Sequence, residues 1–290
     1  MSAEVWTPSK AAIRLTQILR TFAEATNAPR FPIDVTALAF EACNFFHWTD
    51  RISEVKAAPI RGFEGALVAN EDHSEWMLLY NDRLTSPGRI RFTQAHELGH
   101  YCVHRSLSER FECTEADMIH WESARDIEME ADSFAGQLLM PLDDYRAQMG
   151  SGGATLKALG ACAERYGVSM TAAVHRWLEF TEESALLVVS REGFIDYAKS
   201  SKRAMKAGAF FKTKGRLPEP IPNQSLAANP NVVHDRDGQP LSSLVWFPNS
   251  HEDFTMREMK LTSDRYDSTF TLLRLPRSAK VWPEWDGDVA

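Results

Sequence analysis

The sequence predicts an α+β protein: helices around a small antiparallel sheet, then a helical pair, then a second, smaller α+β region. Three observations carry this. Apolar residues recur at helical spacing behind start signals at Thr7-Pro8 and Ser86-Pro87. The period shortens to that of strands over residues 51–81. β-forming segments return beyond a proline-rich run at 217–222.

Composition bounds the function. The 290 residues are 44% hydrophobic and 25% charged, ordinary for a soluble globular protein of one large or two modest domains. A net charge of −8 argues against whole-protein attraction to nucleic acid or anionic membrane. No basic segment followed by an apolar run opens the chain, so no secretory signal is expected. No apolar run approaches the roughly 18 residues of a membrane span. Cys43, Cys102, Cys113 and Cys162 are scattered without a C-x-x-C pair. Free thiols in a reducing cytoplasm are the expectation.

The first helix opens at Thr7-Pro8, runs through Ile13, Leu15, Ile18, Leu19 and Phe22, and stops at Asn27-Ala28-Pro29. A second begins at Pro32-Ile33-Asp34 and passes Val35, Leu38, Ala39 and Cys43. Both read as scaffold. Residues 52–55, 65–69 and 76–80 read as strands separated by polar turns such as Asn70-Glu71-Asp72-His73. An edge strand of that sheet can hold an extended peptide or simply cover the next helix. That helix opens at Ser86-Pro87 and is expected to run to about His104.

It contains His96-Glu97-Leu98-Gly99-His100, an H-E-x-x-H pattern. Positions i and i+4 share one helical face, so His96 and His100 can offer two imidazole nitrogens to one ion. Glu97, about 100° further round, can overhang the ion without binding it. There it can take a proton from an activated water and return it to the leaving amine. Five residues recur by chance, so the context decides. A hydrolytic zinc site needs a third protein ligand. His104 is poorly placed: it lies about 12 Å from His96 along the axis, at 1.5 Å per residue. It reads instead as a histidine behind the ligands or in the core. Residues 127–141 form another helix, with Ile127, Ala131, Phe134, Ala135, Leu138 and Leu139 in one stripe and Pro141 as its stop. Glu128 borders the stripe, where a carboxylate needs a partner. Glu130 points about 200° away and reads as solvated. The ligand set is His96, His100 and Glu128, with Asp132 as a candidate to orient a histidine.

The two segments R-F-T-Q-A-H-E-L-G-H-Y-C-V-H and E-M-E-A-D-S-F-A-G-Q-L-L-M-P resemble the ImmA/IrrE family of metallopeptidases, and the resemblance covers roughly residues 30–180. It implies a zincin-like fold in which His96, His100 and Glu128 bind metal and Glu97 is the catalytic acid/base. Zinc is the implied ion, with manganese or another divalent ion as a substitute. The family more often has Asn where this chain has Asp132. The resemblance also implies the substrate class: a helix-turn-helix transcriptional repressor, cleaved to induce mobile-element or stress-response genes.

Residues 159–178 have helix-turn-helix cadence with Gly167 at the turn, but the second helix offers only His175 and Arg176 as basic groups. Packing explains it better than DNA binding. Residues 191–216 carry eight Lys/Arg, from Arg191 to Arg216, interleaved with Phe194, Tyr197, Phe210 and Phe211. They fit an acidic partner or nucleic acid, or a solvated face over buried aromatics. Residues 244–247, 254–261 and 269–275 read as strands, and the tail includes Trp282 and Trp285. The expected organisation is a peptidase domain over 1–183, including the helical pair at about 154–180, and a regulatory or substrate-docking region over 184–290. The sequence thus reads as a cytoplasmic metal-dependent endopeptidase without membrane attachment. The competing reading is a transcriptional regulator that keeps a peptidase scaffold and acts by binding DNA or protein.

Overall fold

The computed structural model describes residues 5–60, 62–112, 122–150, 153–213, 215–263 and 267–282. Cys113 and Trp285 lie outside the described residues. The chain forms two compact units: Met1–Gln148 with Cys162–Ala172, and Met149–Ala161 with Ala173–Ala290.

In the first unit, α1 (Pro8–Thr26) starts where Thr7 accepts a hydrogen bond from the Lys10 amide (3.4 Å) and ends at Asn27 in the left-handed region. The start of α2 (Val35–Phe46) is capped by Asp34, which accepts from the Ala37 amide at 3.0 Å. Strands β1 (Arg51–Ala58), β2 (Gly65–Ala69), β3 (Glu75–Asn81) and β4 (Arg110–Glu112) make one sheet in the order β1-β3-β2-β4. The expected antiparallel sheet is in fact mixed, because β1 and β3 run parallel. The β2–β3 hairpin turns at 70–74 and lays β3 between β2 and β1, so β3 runs with β1. Alternation along a strand reports its faces, not its direction. The fourth strand comes after the motif helix, and β1 and β4 are the edges.

The motif helix is α3 (Pro87–Gly99), continued by a π-helical turn, His100–His104. The expected end near His104 therefore holds, with a change of pitch inside it. Ser86 has the extended backbone of an N-cap but no side-chain cap bond. Helix α4 (Glu122–Leu139) buries Ala131, Phe134, Ala135, Leu138 and Leu139 of the stripe the sequence displays, leaves Ile127 half-buried, and packs on α3 and α1. Then follow α5 (Leu142–Met149), α6 (Leu156–Tyr166) and α7 (Met170–Phe180), with Gly167 at φ +60° in the turn before α7. In α7, whose residues from Ala173 onward belong to the second unit, Ala173, Val174, Trp177 and Leu178 are buried.

The second unit holds an antiparallel sheet of β5 (Ser184–Arg191), β6 (Phe194–Ser200), β7 (His234–Ser242), β8 (Thr255–Ser263) and β9 (Ser268–Leu275), in the order β6-β5-β9-β8-β7. Its core gathers Leu186, Val188, Leu273 and Leu275 with Trp246 and Phe247. Two short helices accompany it, α8 (Lys202–Ala207) and α9 (Ser243–Trp246). Residues 244–247, expected as a strand, belong largely to α9. The Ser242 side chain accepts from the Leu244 amide (3.3 Å) and starts a helical turn, and four apolar residues do not distinguish the two states. The basic stretch contains a β5–β6 hairpin turning through Glu192 (φ 49°) and Gly193 (φ 81°). Arg191 pairs with Asp196 and Lys199 with Glu179, while Phe211 packs on Trp246 and Phe247. The proline-rich run is extended as expected, and Glu219 and Ile221 bond the backbone of Ile195 and Gly193. Cys43, Cys102 and Cys162 are buried thiols that form no disulfide. Among the described residues no helix is long and apolar enough to cross a membrane.

Candidate metal centre

The site forms where α3 and α4 come into close contact. A β-carbon on Gly99 would stand 3.0 Å from Cδ1 of Phe134 and 3.3 Å from Cα of Ala131. Glycine at the motif's fourth position leaves room for this approach, which a β-carbon would crowd by a few tenths of an ångström. The approach carries Glu128 of α4 to the two motif histidines, as the sequence reading expected. Ligand atoms of His96, His100 and Glu128 lie within 4.8 Å of one another. The Nε2 atoms of the histidines are 3.1 Å apart. Oε2 of Glu128 is 3.1 Å from His96 Nε2, and Oε1 is 3.3 Å from His100 Nε2. A tetrahedral ion with bonds of about 2.0–2.1 Å spaces its ligand atoms about 3.3–3.4 Å apart. The donor set and its spacing therefore suit a divalent ion.

The charges of this cluster are tied together. Burial works against the Glu128 carboxylate, but hydrogen bonds from His100 and His96 outweigh it and hold the carboxyl well below the usual range. Burial likewise disfavours charge on His96. Asp132 and Glu128 overcome it, pushing that imidazole up to about 10. His100, fully buried, is brought down to about 4 by burial despite Glu128. One proton on His96 thus sits between the carboxylates of Asp132 and Glu128.

Partners behind the ligands complete the cluster. Asp132 Oδ1 is 2.9 Å from Nδ1 of His96, the orienting contact expected of it. His104 is not among the converging ligand atoms. Its Nδ1 meets Nδ1 of His100 at 3.2 Å. Glu130, read from its azimuth as solvated, instead bonds Nε2 of His104 at 2.9 Å. Its side chain stays half exposed and its length carries the carboxylate round the helix flank. Phe111 on β4 stacks over His100, ring centroids 4.8 Å apart at 16°. Sequence reasoning missed Phe111, and no local pattern announces it.

Glu97 is completely buried. It lies against Gly65 of β2, where a β-carbon would overlap the Glu97 carboxylate and come within 2.7 Å of Thr93 Cγ2. A glycine opening a strand was the available signal for such an approach. Tyr101 is committed elsewhere: its hydroxyl donates to the backbone oxygen of Asp50 at 2.7 Å. Arg91, in the same motif, donates to the backbone oxygen of Gly167 and so fixes the turn between α6 and α7.

Residues 53–178 match the family model described as peptidase M78, the IrrE N-terminal-like domain. No curated protein proved similar to the chain. Among solved structures, a Mycobacterium tuberculosis transcriptional regulator aligns at 14% identity with a TM-score of 0.50, over 92% of this chain and 80% of that one. At that identity the likeness is one of fold.

Proposed function

Residues 53–178 belong to the ImmA/IrrE family of metallopeptidases, and from this we propose that the protein is a zinc-dependent endopeptidase. His96, His100 and Glu128 would hold the ion, and Glu97 would be the general base and acid. The observation that carries the reading is the spacing of the three donor groups, 3.1, 3.1 and 3.3 Å.

A divalent ion bound there supplies Lewis acidity, polarising a carbonyl and making water nucleophilic near neutral pH. The chain's own residues do the rest. Glu97 takes the proton from the attacking water and delivers it to the departing amine. Its buried setting against Gly65 keeps the carboxylate in one place while it does so. Asp132, at Nδ1 of His96, keeps the Nε2 lone pair of that imidazole aimed toward the ion's place. The substrate we assign is a helix-turn-helix transcriptional repressor in the cytoplasm, so that cleavage induces the genes it silences. Residues 1–183 would form the peptidase domain and 184–290 a docking or regulatory region.

The competing reading, a regulator acting through DNA contact, gains little from the helical pair. Arg176 is paired with Glu179 (3.1 Å), and His175 lies 3.4 Å from the Tyr197 hydroxyl. The test is co-expression with helix-turn-helix repressors encoded beside the gene. Wild type should cut one of them, whereas Glu97→Gln should bind metal and leave it whole. Equal biological effect of the two proteins would refute the peptidase reading.

A further inference from the structure

Resting on the metal-site reading above, the geometry points to His104 and Glu130 as positioning residues, an imidazole–carboxylate relay that fixes the tautomer and aim of His100. His104 is buried in the π-helical turn, four residues beyond His100, with the ring centroids 5.2 Å apart and tilted by 53°. Its Nδ1 is 3.2 Å from Nδ1 of His100, and its Nε2 is 2.9 Å from Oε2 of Glu130.

Hydrogen-bond chemistry leaves one direction for every step. A histidine that gives its Nε2 lone pair to an ion carries its proton on Nδ1. His100 Nδ1–H then donates to His104, whose Nδ1 must accept. The proton of His104 is therefore on Nε2, where it is donated to Glu130, and an ionised carboxylate only accepts. His96 reaches the same end in one step, donating from Nδ1 to Asp132 at 2.9 Å. Helix α4 thus supplies Glu128 as a ligand and Asp132 and Glu130 as the two anchors. A histidine serving only to fill the core could be satisfied by any carbonyl. His104 instead stands between a ligand ring and a carboxylate whose side chain is 50% exposed, so the terminal charge stays hydrated.

The test is zinc affinity of the full chain by chelator competition. Glu130→Ala should weaken binding by about 10–100-fold, and Glu130→Gln by less, since its amide oxygen still accepts. The double variant His104→Ala/Glu130→Ala should bind no more weakly than His104→Ala alone. Wild-type affinity in Glu130→Ala, or losses that simply add in the double variant, would overturn the relay. Should His104→Ala not fold, the two Glu130 variants decide, since that side chain is half exposed. His96→Ala and Glu128→Ala separate this from the larger claim. If they keep zinc, the metal-site reading itself fails; if they lose it while Glu130→Ala binds normally, only the relay does.

Discussion

Gly65 of β2 leaves no room for a β-carbon beside Glu97: one built there overlaps the Glu97 carboxylate. The strand backbone thus forms one wall of the space in which a buried glutamate is held. Gly65→Ala should destabilise the fold by about 1–3 kcal/mol, the usual cost of overpacking. It should also displace Glu97 and lower peptide cleavage much more than zinc affinity. Thermal melting, metal analysis and cleavage of one substrate on the same sample check this.

The Gly99 contact acts on the ligands instead. A β-carbon at 3.0 Å from Phe134 and 3.3 Å from Ala131 needs a few tenths of an ångström of yielding at the α3–α4 contact. Gly99→Ala should cost about 1–3 kcal/mol and weaken zinc binding, because Glu128 stands on the same helix that this contact would shift. A variant that melts early yet binds zinc like wild type would show that the close packing serves the core alone.

Metal uptake should compete with a proton. His96 is held protonated up to about pH 10 by Asp132 and Glu128, whereas burial keeps His100 neutral above about 4. Between those limits an entering ion displaces one proton, so affinity rises with pH by about tenfold per unit. Chelator competition at three values between pH 6.5 and 8.5 gives the slope; a slope near zero contradicts the protonated His96.

The second unit carries its own acid sensitivity at His175. Burial, reinforced by Lys199, brings this imidazole down to about 4. The unfolded chain, with an ordinary imidazole near 6.5, takes up the proton first as pH falls. The contribution is therefore complete above about pH 6.5 and is lost progressively toward 4, up to about 3 kcal/mol. His175→Gln should flatten that part of the stability profile, measured by urea unfolding of both proteins at several pH values.

Much of the first unit was legible in the chain because local chemistry announces it. Thr7 caps α1, and Asp34, at the expected start of the second helix, caps α2. The apolar stripe of α4 follows from a 3.6-residue period, and the i,i+4 pairing of His96 and His100 from the same geometry. That Glu128 meets the two histidines was legible because a carboxylate beside a packing face needs a partner. The direction of β3 beside β1, the α9 turn in place of a strand, the stacking of Phe111 on His100 and the reach of Glu130 to His104 were not legible. Each depends on how separated segments meet, and neither alternation nor azimuth along one element specifies that. Residue identity and period set the donors and the faces they stand on; close contact at Gly99 and Gly65 set the distances, because the space a missing side chain leaves has meaning only once a neighbour fills it.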